Sequence, residues 1–136
     1  MQTRIDQELQ VLFEEHPAVE SAYLFGSEAQ GRAAPTSDID IAIRCVPGLS
    51  PEAYFDIKLE FIEAVEKALG RKADVVILNT ASLTMIHQVL RCGILLYAVS
   101  GPGEAEYAAR KRREYFDFRY YLDKDRKPLR GFFGVV

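Results

Sequence analysis

The sequence predicts an α/β (α+β) chain in which helices and short strands alternate and one long charged helix closes the C-terminal third. Three observations carry this reading. Residues 19–25, 38–44, 73–78 and 94–99 are short runs rich in β-branched and aromatic residues, each bounded by turn formers. Between them, apolar residues recur every three or four positions, the period of a helix with one buried face. The residues that start and stop helices also stand where that periodicity begins and ends, most clearly Ser50-Pro51 and Gly70.

In chain order, Ile5, Leu9, Leu12 and Phe13 place a helix over residues 4–15, and His16-Pro17 ends it because a residue before proline avoids the α region. A strand over residues 19–25 stops at Gly26-Ser27, after which a short helical turn and a loop of small residues lead to residue 38. In the next strand Ile39, Ile41 and Ile43 share one face, while Asp38, Asp40 and Ala42 share the other. Ser50 as N-cap and Pro51 at the first helical position open a helix whose expected buried stripe is Phe55, Leu59, Ile62, Val65 and Leu69. A strand at 73–78, a helix over 81–91 opened by Ser82 and closed by Gly93, and a strand at 94–99 complete a core over about residues 1–100. Gly101-Pro102-Gly103 punctuates its end. An amphipathic helix follows over 104–122, with Ala108, Tyr115, Phe118 and Leu122 as its stripe, and then a polar and basic tail from Asp123 that closes on Phe132, Phe133, Val135 and Val136.

With 136 residues, 49% of them hydrophobic, the chain is expected to form a single domain over 1–136. Its longest apolar runs are far below the roughly 18 residues of a membrane span, and the N-terminus lacks a signal-peptide pattern, so a cytoplasmic location is expected. A formal net charge of -3 argues against direct nucleic-acid binding. Cys45 and Cys92 stand far apart and read as reduced, partly buried hydrophobes. His16 and His87 are isolated, which argues against a zinc site.

The chemistry is concentrated in residues 26–40, where Gly26-Ser27 at a strand end is followed ten residues later by Asp38-Ile39-Asp40. Magnesium prefers carboxylate oxygens together with substrate phosphates, and two carboxylates at i and i+2 lie on one strand face, close enough to hold a metal pair. Two acids aimed one way out of an isoleucine-rich strand repel each other unless a cation lies between them. Glycine lets backbone approach a phosphate, and a serine hydroxyl with the N–H groups of the following turn can bind one. Asp74, opening a neighbouring strand, is the best-placed third carboxylate.

This Gly-Ser, ten-residue gap, Asp-x-Asp arrangement resembles the signature of the DNA polymerase β-type nucleotidyltransferases, and within them the minimal nucleotidyltransferase (MNT) branch, over roughly residues 19–98. The resemblance implies a nucleotidyltransferase fold, a small mixed β-sheet flanked by helices with a C-terminal helix and tail. It implies that Gly26 and Ser27 bind the triphosphate of ATP and that Asp38, Asp40 and Asp74 are the catalytic carboxylates that hold two Mg2+ ions. Arg32 and Ser37 are further nucleotide-binding candidates. The family commonly has arginine where this chain has Gln30, a departure for which nearby Arg32 can substitute.

Proteins similar to this one are antitoxins of type VII-like pairs, which transfer AMP to a tyrosine of a helical HEPN ribonuclease toxin and silence it. The resemblance thus implies a HEPN-domain partner. Two alternatives stand beside it, a small-molecule (aminoglycoside-type) nucleotidyltransferase acting as a homodimer and a non-catalytic antitoxin that binds its toxin sterically. The C-terminal third supports docking on composition alone, because a basic band at residues 110–113 is followed by Tyr115, Phe116, Phe118, Tyr120 and Tyr121, a mixture favoured at protein interfaces of homo- or hetero-oligomers.

Overall fold

A computed structural model describes residues 2–29, 31 and 38–133, with side chains placed for 5–26, 29, 31 and 38–124. The elements in order are α1 (Gln2–Glu14), β1 (Val19–Phe25), the short helical turn α2 (Gly26–Ala29), β2 (Ile39–Cys45), α3 (Pro51–Leu69), β3 (Ala73–Ile77), a 3-10 turn (Leu78–Thr80), α4 (Leu83–Cys92), β4 (Ile94–Ala98) and α5 (Gly101–Phe133). The sheet has the order β3-β2-β1-β4. β1 runs antiparallel to both β2 and β4, while β2 and β3 are parallel, so α3 is the crossover that a parallel pair requires.

The helices divide between the two sheet faces as the strand alternation dictates. Ile39, Ile41 and Ile43 of β2 point into one core with Ile5, Leu9 and Phe13 of α1 and with Tyr54, Ile57, Phe61 and Val65 of α3. The rings of Phe13 and Phe61 lie 5.5 Å apart where α1 crosses α3. On the other face, Tyr23 and Ala42 pack with Ile86 and Val89 of α4 and Tyr107 of α5. A bulge between Val19 and Ser21 shifts the parity of β1, and for that reason Val19 and Ala22 both reach the first core.

Capping fixes the helix ends where the sequence placed them. The Ser50 hydroxyl accepts from the Ala53 N–H at 3.1 Å, and Ser82 does the same for Met85 at 3.1 Å, each interaction contributing about 1 kcal/mol. Gly70 takes the left-handed conformation (φ 66°) that lets its N–H return to the Glu66 carbonyl.

Four expectations are corrected. The buried face of α3 is Tyr54, Ile57, Phe61 and Val65; of the expected stripe Val65 is buried and Ile62 and Leu69 pack partly buried against the same core, whereas Phe55 and Leu59 are 55% and 49% exposed. Both stripes have helical spacing. The buried one prevails because the Tyr54 hydroxyl donates to the Val46 carbonyl at 2.8 Å and Phe61 meets Phe13. Gly101-Pro102-Gly103 is the first turn of α5 rather than a break, as proline is tolerated where helix N–H groups are free, and the expected tail after Asp123 continues the helix to Phe133. Residues 134–136 lie outside the described residues. Cys92 is exposed, while Cys45 is buried as expected. No helix among the described residues is long and apolar enough to cross a membrane.

Candidate active site

Asp40 is the centre of the candidate site because its two neighbouring strands each bring one predicted group to it. Across β1 its register partner is Phe25, the residue before Gly26, and across β3 its partner is Asp74. Partners on adjacent strands lie about 4.8 Å apart, so the Asp40 and Asp74 carboxylates leave the same sheet end side by side. Asp38 stands just ahead of β2 and is exposed, as is Asp74, whereas Asp40 is half-buried.

The electrostatics follow from this crowding. Burial pushes the Asp40 carboxyl above its ordinary range, and the charges of Asp74 and Asp38 push it further. Among the described residues, however, no three His, Cys, Asp or Glu side chains converge into a finished metal-ligand shell. Like charges with solvent available spread apart, so the chemistry of the donor set fits a hard cation while its convergence is left to the cation itself.

Gly26 closes the other side of the site. It has φ 73°, a left-handed conformation, and a Cβ added there would fall onto the Asp40 carboxylate, 3.1 Å from Cγ even at the carbon. The glycine thus sets backbone directly against the acid and leaves a cradle that any side chain would fill. Ser27 lies in α2, but its side chain, and the whole of Gln30, Arg32 and Ser37, lie outside the described residues.

Residues 7–100 match the family described as Polymerase beta, Nucleotidyltransferase. The chain belongs to that family. Among its relatives is the protein adenylyltransferase MntA of Shewanella oneidensis, 31% identical over 96 residues that span 71% of this chain and 66% of that protein. The nucleotidyltransferase fold is seen in a chain of a toxin–antitoxin crystal structure with AMP-PNP, at TM-score 0.71 and 24% identity over 91% of this chain and 97% of that one. It is seen again in a complex of a tri-AMPylated Shewanella oneidensis HEPN toxin with its MNT antitoxin, at TM-score 0.72 and 23% identity over 95% and 98% of the two chains. In this nucleotidyltransferase the family signature thus falls on a strand pair and a glycine that are adjacent in space.

The opposite end of β2 holds a second charged cluster that no local sequence motif marks. Arg44 lies on the same strand face as Asp40, and its guanidinium donates to Glu20 at 2.7 Å and to Glu104 of α5 at 2.5 Å. Glu104 also accepts from the Tyr23 hydroxyl and is 3% exposed. The Arg44 guanidinium lies over the Tyr107 ring at 4.5 Å. A signal was present, since an arginine on the core-facing side of a strand needs a buried acid, and Glu104 opens the last helix.

Proposed function

We propose that this chain is the antitoxin of a type VII-like HEPN/MNT pair, an adenylyltransferase that works in the cytoplasm and moves AMP from ATP to a tyrosine of a HEPN ribonuclease toxin. The observation that carries the reading is Asp40 in register with Asp74 beside a glycine that only backbone can occupy. The likeness to a protein adenylyltransferase gives the acceptor class.

Asp38, Asp40 and Asp74 would hold two Mg2+ ions, which when bound neutralise the triphosphate and make the α-phosphate electrophilic. Gly26 admits the β- and γ-phosphates to the backbone of the β1–α2 turn, with Ser27 alongside. Asp74 is exposed at an edge strand, where an acceptor can reach it, and its carboxylate receives the proton of the tyrosine hydroxyl. The tyrosine oxygen then bonds to the α-phosphorus as the bond to the pyrophosphate oxygen breaks, and pyrophosphate leaves.

The test incubates the protein with α-labelled ATP, magnesium and a co-expressed HEPN-domain protein. Label should appear on the HEPN protein. Asp38→Asn with Asp40→Asn should remove several kcal/mol of transition-state stabilisation and cut labelling on the order of 10³-fold with the fold retained. Toxin neutralisation that survives this double change would refute the catalytic reading in favour of steric binding.

A further inference from the structure

The face of the sheet that carries Asp40 is covered by α4 and α5, and α5 crosses it in a definite direction. Glu104 in its first turn reaches Arg44 at the far end of β2. Tyr115, further along, stacks on His87 of α4 with ring centroids 3.7 Å apart and planes 3° apart. Beyond His87, α4 ends at Cys92, and a Cβ on Gly93 would lie 3.2 Å from the Leu24 carbonyl oxygen, two residues from Gly26. α5 therefore climbs from the Arg44 end of the sheet to the Gly26 end.

Where it arrives, His87, Leu90 and Arg91 of α4 and Arg112 and Phe116 of α5 line a cleft of about 370 Å³. The lining holds two guanidinium groups and no carboxylate, in a chain of formal net charge -3. Their neighbours on the helix are occupied, since Glu114 engages Arg110 at 3.7 Å and Lys111 at 3.3 Å. Among the described residues no ion pair or hydrogen bond engages Arg91 or Arg112. Phe116 stands edge-on to His87 and leaves 57% of its surface in water.

A guanidinium pair, an exposed aromatic ring and the apolar side chain of Leu90 suit one ligand chemistry. Guanidinium groups bind phosphate oxygens bidentately, aromatic rings stack nucleobases, and the cleft volume falls within the roughly 300–1,000 Å³ of small-ligand sites. We infer that this cleft binds a ribonucleoside 5′-monophosphate, namely the AMP group already transferred to the acceptor. The inference rests on the transfer reading above. The carboxylates take the incoming triphosphate, and the α4–α5 cleft, at the same end of the sheet, holds the previous product so that a modified acceptor stays in place for another transfer.

The experiment is calorimetric titration of the protein with 5′-AMP and with diadenylate in EDTA, where the carboxylates have no cation with which to bind phosphate. One site per chain is expected, weakened at least tenfold by Arg91→Ala with Arg112→Ala and unchanged by Asp38→Asn with Asp40→Asn. Both arginines are exposed, so thermal melts of the variant should match the parent, and Arg91→Lys with Arg112→Lys should recover part of the affinity. Photolabelling with 8-azido-AMP should mark the peptide that contains Phe116. Absent binding, equal binding by the alanine variant, or loss only in the asparagine variant would overturn the inference. Equal affinity for inorganic phosphate would reduce the cleft to a plain anion site, and equal affinity for oligouridylate to an RNA-backbone site, and either result also overturns it. Titration with ATP and magnesium on the same samples separates the two claims. Uptake of ATP without AMP refutes the cleft and leaves the transfer reading standing, whereas no uptake of ATP refutes the transfer reading itself.

Discussion

The two ends of β2 treat charge in opposite ways. At one end Asp40 faces Asp74 with Asp38 close by, and burial first, then the charges of those two acids, pushes the Asp40 carboxyl above its ordinary range. At the other end, Arg44 on the same strand face is held between Glu20 and Glu104, with Tyr23 donating to the second acid and Tyr107 beneath the guanidinium. Four residues separate an arrangement that opposes folding from one that supports it. Where charge is structural the fold supplies the counter-charge from its own side chains, and at the acidic end the proposed cations would supply it.

A large effect is expected at the compensated end. Glu104→Ala would leave Arg44 with Glu20 alone and free the Tyr23 hydroxyl, and removing one partner of a buried pair costs about 3–5 kcal/mol. The Arg44 side chain keeps 17% exposure and its second acid, so the low end, about 3 kcal/mol, is expected in urea denaturation. Glu104→Gln, which keeps the volume and an acceptor for Tyr23, should lose less. If both variants melted like the parent, the network would be ornamental and the contrast between the strand ends would fail.

Gly26→Ala tests the uncompensated end. A left-handed φ of 73° and a Cβ directed at the Asp40 carboxylate together should cost about 1–3 kcal/mol and lower the proposed AMP transfer at least tenfold, with a circular dichroism spectrum like the parent's. An alanine variant of full activity would show that backbone does not approach phosphate there. This part of the site was legible in the sequence because Gly-Ser at a strand end and Asp-x-Asp on a strand are local patterns. The partnership of Asp40 with Asp74 was legible only as a guess from strand position, since register between β2 and β3 is a tertiary property. The Arg44–Glu104 pairing joins residues 60 apart in sequence and required the path of α5, which periodicity does not give.

High pH separates the ends more gently. Burial pushes the Cys45 thiol up to about 11 and the Tyr107 phenol to about 12, and burial together with Glu104 pushes Tyr23 upward as well. Each group holds its proton more tightly folded than unfolded, so its stabilisation is complete below its unfolded pKa and is lost as pH rises through the folded one. Stability should therefore decline from about pH 9 to about pH 11 as the unfolded thiol, of ordinary pKa 9.0, ionises first. Denaturation midpoints across that window check it, and a Cys45→Ala variant should flatten the first part of the slope. Thiol titration at pH 8 gives a companion reading, with one reactive cysteine in the native protein, exposed Cys92, and two in urea.

The smallest effect is expected on the exposed side of α3. Strand edges and helix caps were readable because glycine, proline and serine act locally, but the facing of α3 was not, because it carries two apolar stripes at helical spacing. Choosing between them takes knowledge that Phe61 meets Phe13 across α1 and that Tyr54 bonds to Val46, contacts made after folding. Leu59→Gln, at an expected core position that lies at the surface, should change stability by no more than about 0.5 kcal/mol, since half of that side chain is already in water. Phe61→Ala on the chosen stripe should cost about 3–5 kcal/mol. Comparable losses at the two positions in urea denaturation would mean that α3 buries both stripes in solution, and that something else in the assembled protein covers Phe55 and Leu59.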